Sequence, residues 1–149
     1  MIDRTHDHAA DFASSLLEFS AYVEGSFEKV LRKACIDLYR RIVERTPVDT
    51  GRAKAGWSFS TDDGSQDRDV AEKSYAGAEL ASIINQNVAG FRVDVRDSSV
   101  TIYNNVEYVS HLEYGTSKIA PAGMVSLSLV EFTSFFREEL KGLKGLEIV

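Results

Sequence analysis

The sequence predicts an α+β fold: a small antiparallel sheet of three to four strands, with a long N-terminal helix and a C-terminal helix packed on it. Three observations carry this. Residues 27–43 place apolar side chains at helical spacing, and short stretches at 57–60, 91–95 and 100–103 alternate apolar with polar. A second helical stripe then fills the last quarter of the chain. Helices on one face of a small antiparallel sheet satisfy all three. The 149 residues, 44% hydrophobic and 27% charged, read as one domain spanning 1–149, with 1–10 and 142–149 frayed.

In chain order, Phe12, Leu16, Leu17, Phe19 and Val23 predict a short first helix over 11–22. Gly25-Ser26 reads as its end, with Ser26 as the N-cap of the next helix. That second helix carries the clearest periodicity, from Phe27 and Val30 through Ala34, Leu38 and Ile42, and Pro47 stops it. Trp57-Ser58-Phe59-Ser60 reads as a half-buried strand, and the acidic stretch 61–69 as a solvated loop. Its glycine does not fit a calcium loop, because the first and last ligand positions would fall on Phe59 and Val70. Residues 70–88 suggest a helix weakened by Gly77. Residues 91–95 and 100–103 suggest an antiparallel hairpin turning within 96–99. A short helical segment over 108–114, an exposed loop over 115–121 and a last helix from Pro121 to Gly142 complete the order. Open sheet edges in so small a sheet invite a neighbouring subunit.

The stretch Thr46-Pro47-Val48-Asp49-Thr50-Gly51-Arg52 is the hinge of this plan. Pro47 ends the helix, Asp49 can accept a backbone N–H two residues on, and Gly51 supplies a positive φ. The chain is thereby turned toward Trp57.

Net charge is −6, unevenly spread. Lys29 to Lys54 holds eight basic and three acidic residues, a net +5, which leaves −11 for the remainder. This asymmetry suits pairing of a basic face with an acidic one between subunits, or a local nucleic-acid contact through Lys29–Lys54. The overall acidity speaks against a dedicated DNA-binding protein. No apolar stretch is long enough to cross a bilayer, and residues 1–8 lack a signal arrangement, so a cytoplasmic start is expected. The single cysteine, Cys35, falls on the apolar face of the second helix and reads as a small hydrophobe. His6 and His8 with Asp3 and Asp7 lie where nothing preorganises a metal site.

Catalytic patterns fail in turn. His111-Leu112-Glu113 matches half of a zinc deaminase signature, whose other half needs two cysteines that the chain lacks. Metalloprotease, Walker and nucleophile-elbow motifs are absent. Tyr103, Tyr108 and Tyr114 could stack bases, but aromatics beside a hairpin more often serve core or interface. The sequence thus predicts no enzyme, no cofactor and no metal.

Two stretches remain. Thr46-Pro-Val-Asp-Thr-Gly-Arg52 with Trp57 is followed by residues 104–118, NNVEYVSHLEYGTSK, and by 120–125, APAGMV. Together they resemble the tail-completion and head–tail joining proteins of long-tailed bacteriophages and prophages, the HK-ninety-seven type, close to the minor tail protein Z group. The resemblance runs from about Phe12 to Phe136, and its specificity lies in the two stretches; the acidic loop 62–69 is longer than the family's pattern. It implies a small α+β structural subunit of the virion neck, with no catalytic residues and no cofactor. It further implies a homo-oligomeric ring, taken as a hexamer, between the head connector or adaptor and the tail tube or terminator. Genomic DNA would pass through without specific binding, and the subunit would sit in the host cytoplasm until assembly and at the head–tail junction afterwards. Candidate contacts are Thr46, Pro47, Asp49, Thr50, Gly51, Arg52, Trp57, Tyr108, Glu113, Tyr114, Gly115, Thr116, Lys118 and Pro121.

Overall fold

A computed structural model describes residues 4–61, 66–94, 96–97, 99–114 and 123–142; side chains are described from residue 13, apart from 16, 19, 20 and 22. The order is α1 (Arg4–Arg45), α2 (Arg52–Gly56), β1 (Ser58–Thr61), α3 (Gly77–Gly90), β2 (Val100–Tyr103), α4 (Val109–Glu113) and α5 (Val125–Lys141).

The N-terminal half departs from expectation. One helix of 42 residues replaces the two expected, running about 63 Å at 1.5 Å per residue. Gly25 does not break it, because Val23, Phe27, Val30 and Ala34 keep one helical phase across the glycine. A mid-helix glycine costs only about 1 kcal/mol against alanine. Just past it, Phe27 meets the edge of the Phe136 ring with centroids 6.5 Å apart, so tertiary packing supplies what the glycine loses. The helix ends where Pro47 requires, and the Thr46 hydroxyl closes the last turn by donating to the Ile42 carbonyl at 2.7 Å.

The sheet is the larger correction. It has two strands among the described residues, not three or four. β1 pairs antiparallel with β2, in register Ser58↔Tyr103 to Thr61↔Val100. Among the described residues the expected hairpin of 91–95 with 100–103 does not form. Asp94 and Asp97 take up the local backbone donors instead: Asp97 accepts from Asp94 N at 2.8 Å, and Asp94 accepts from Arg96 N at 2.8 Å. Side chains that hydrogen-bond nearby backbone compete with a ladder, and here they win. Phe91 is buried regardless, stacked on Phe59 at 4.2 Å.

The helix expected over 70–88 begins only at Gly77. The backbone before it is tied elsewhere, Val70 O to Arg52 Nε at 3.0 Å and Tyr75 N to Thr50 O at 2.6 Å. The Arg32 guanidinium closes its far end by donating to Val88 O and Phe91 O. The short helix over 109–113 and the end of the last helix at Gly142 stand where the sequence put them.

The core lies between α1, the sheet and α5, around Leu38, Tyr39, Ile42, Trp57 and Met124. α5 runs antiparallel to α1: Glu131 pairs with Arg41 and Arg45 near the end of α1, and Glu139 with Lys33 earlier in it.

Candidate functional site

The two sequence stretches meet at the end of α1. Thr46 is buried, and its hydroxyl accepts from the indole N–H of Trp57 at 2.9 Å while donating to Ile42. One side chain thus satisfies a buried donor and seals a helix end. The turn that follows is set by Gly51, whose φ of 79° favours glycine, and a Cβ there would overlap the Tyr75 carbonyl oxygen. The local acceptor is Thr50, not Asp49 as expected: Arg52 N donates to Thr50 Oγ1 at 3.3 Å. A one-turn helix, α2, then delivers Trp57 to the core.

Arg52 ties the two stretches together. Its Nε donates to Val70 O at 3.0 Å, and one Nη reaches Glu107 at 2.7 Å. The guanidinium holds the Glu107 carboxyl below the usual carboxylate range. Asn104 adds a second link, donating to Ala53 O at 2.8 Å and accepting from Val106 N at 3.0 Å. Between the stretches lies a cleft of about 270 Å³, walled by Pro47, Val48, Asp49 and Gly51 on one side and Tyr108 and Leu112 on the other.

Glu113 fastens this corner to the last helix. Its carboxylate accepts from the backbone N–H of Met124, Val125 and Ser126, at 3.0, 2.7 and 2.9 Å, and from the Ser126 hydroxyl at 2.6 Å. It is therefore a cap for α5 supplied from eleven residues or more upstream, anionic where the helix dipole is positive. Partial burial opposes its charge, but the Ser126 hydroxyl and the three N–H groups outweigh that and bring its pKa below the ordinary value. Gly123, at φ 82°, lets the chain pass close to Glu113; a Cβ there would lie 2.8 Å from the Glu113 carbonyl.

The candidate residues fall into three sets. Thr46, Gly51 and Trp57 are buried, and Arg52 and Glu113 spend their polar atoms inside the chain. Pro47, Asp49, Thr50, Tyr108 and Tyr114 are at the surface to differing degrees, Tyr114 being 83% exposed. Gly115, Thr116, Lys118 and Pro121 lie outside the described residues. Sequence reasoning passed over Asn104, Glu107 and Arg68. Arg68 covers Ser58 by donating to its Oγ and to the carbonyls of Ala55 and Trp57, so Ser58 is buried where alternation put it outside; Ser60 is buried too, its hydroxyl donating to Thr61 O at 3.1 Å.

The polar groups of the corner are largely committed to contacts within the chain. The carboxylate of Glu113 is committed to α5, and at i, i+2 on a helix it does not share a face with His111. Among the described residues no cluster of histidine, cysteine and carboxylates could hold a metal. No helix among them is long and apolar enough to cross a membrane. The basic segment is mostly tied down. Arg32, Lys33, Arg41, Arg45, Arg52 and Lys54 each donate to a carbonyl or carboxylate of the chain, and only Lys29 and Arg40 make no hydrogen bond or ion pair among the described residues. Comparison with protein-family models, curated proteins and solved structures yields no match to the chain.

Proposed function

We propose that the chain is a structural virion subunit of a tailed phage or prophage, a ring-forming neck protein that completes the tail or joins head to tail. The observation that carries this is the convergence of the two stretches on one surface, built from Pro47 to Thr50 and from Tyr108 to Tyr114 and braced by Arg52–Glu107 and the Glu113 cap. Bracing of this kind holds a surface in shape; it positions no reacting group. The ring is taken as a hexamer with the connector or adaptor on one side and the tail tube or terminator on the other. An acidic balance outside residues 29–54 suits a lumen through which DNA slides without being held.

The nucleic-acid reading is weaker on the same geometry. Six of the eight basic groups it needs already donate within the chain, so few remain to neutralise phosphate. A direct test is electron microscopy of virions assembled with a tagged copy of the chain. Label at the head–tail junction is expected; tagged protein that never enters particles, while particles form normally, overturns the proposal.

A further inference from the structure

Two exposed surfaces of the chain match each other and not themselves. The first is a stripe on α5, where Leu127, Val130, Ser134, Arg137 and Lys141 recur at three and four residues and are all exposed. Its ends are 14 residues apart, about 21 Å. Its N-terminal half is apolar, with Leu127 41% and Val130 76% exposed, and its C-terminal half is cationic. Arg137 makes no hydrogen bond or ion pair among the described residues, whereas Lys141 already meets Glu138. The second is the cleft beside Val48, itself 56% exposed, with Tyr108 and Leu112 as its apolar wall. Its rim is anionic. Asp49 forms part of the wall, is exposed, and its carboxylate is not paired among the described residues.

From this complementarity we infer that the α5 stripe of one copy docks in the Val48 cleft of the next. Val130 and Leu127 enter the apolar wall, and Arg137 faces the Asp49 carboxylate. The inference rests on the ring reading above and gives that ring its contact. Docking one surface into a different surface leaves a free stripe at one end and a free cleft at the other, so addition continues until a ring closes. The apolar half supplies contact area that salt does not screen. The charged half sets orientation and weakens as ionic strength rises past about 0.15 M, where the screening length is about 8 Å.

The test uses the full chain, Val130→Asp and Val48→Asp variants, and light scattering coupled to size exclusion. Both residues are exposed, so the variants keep the wild-type unfolding midpoint; Arg137→Glu and Asp49→Lys serve as milder second variants, expected to weaken assembly singly and to restore it when combined in one chain. Each aspartate variant alone is expected to be a monomer. Mixed one to one, they retain a single intact junction, the stripe of Val48→Asp in the cleft of Val130→Asp, and are expected to give heterodimers and nothing larger. Wild-type rings that persist in either variant, or a mixture that stays monomeric, overturn the docking and leave the ring reading standing. A wild-type chain that is monomeric throughout overturns both.

Discussion

Glu113→Ala removes a helix cap without touching the core, and its cost follows from the contacts. Three N–H groups of the first turn of α5 and the Ser126 hydroxyl lose their acceptor. Deleting a side-chain cap costs about 0.5–2 kcal/mol, and losing an anion from a helix N-terminus about 0.3–2 kcal/mol more. Water can replace part of what is lost, because Glu113 is only partly buried, so about 2–3 kcal/mol is expected for alanine. Glu113→Gln keeps an acceptor and loses the charge, for about 1 kcal/mol. At about 2–4 °C per kcal/mol for a chain of this size, the alanine variant melts roughly 4–12 °C lower. The pH dependence is the sharper part. The folded pKa lies below its ordinary value, so the charge stabilises the fold above the unfolded carboxylate pKa, about 4.3. That contribution is lost as pH falls through the folded value. The gap between wild type and Glu113→Gln is therefore full at pH 7 and closes on acidification. Urea unfolding at pH 7 and at successively lower pH measures it. An alanine cost below about 0.5 kcal/mol, or a glutamine gap that does not change with pH, refutes the capping role.

Three further predictions concern the turn and the core. Thr46→Val strands the buried indole N–H of Trp57 and is expected to cost about 1–3 kcal/mol, read by urea unfolding with the fluorescence of the single tryptophan as the signal. Gly51→Ala combines a left-handed φ with a clash against the Tyr75 carbonyl, and is expected to cost at least 1–3 kcal/mol and to loosen the 70–76 stretch, measurable as faster amide exchange at Tyr75. Burial pushes the Cys35 thiol up to about 11, so at pH 8 it should react with iodoacetamide on the order of a hundredfold more slowly than the unfolded chain; equal rates would contradict its buried placement.

Much of the helical part was legible, because helical periodicity is local. Leu38, Ile42 and Val43 face the core as their spacing says, and Pro47 stops α1 as its missing N–H requires. Gly25 reads as a stop, but the apolar phase runs unbroken across it, and tertiary packing at Phe27–Phe136 keeps the helix continuous. The strand at 91–95 had the right alternation, but Asp94 and Asp97 fold the backbone onto themselves, and alternation does not report competing side-chain acceptors. β2 then finds β1 across a gap of about forty residues, which no local pattern reveals. At the candidate site the sequence marked the right segments and less often the right roles. Glu113 was singled out as a contact, and it caps a helix that starts twelve residues later. Capping rules written for neighbouring positions do not reach that far. Arg52 was singled out too, and its partner Glu107 lies in the other stretch, a link that only the folded chain displays.

The most direct measurement is the mass of the purified chain in solution, taken by light scattering across concentration and at low and high salt. A subunit of 16.5 kDa in a ring of six gives about 99 kDa at low salt, dissociating as salt rises. A mass of 16.5 kDa at every concentration and salt, with a tail-tube partner present as well as without it, contradicts a ring-forming neck subunit.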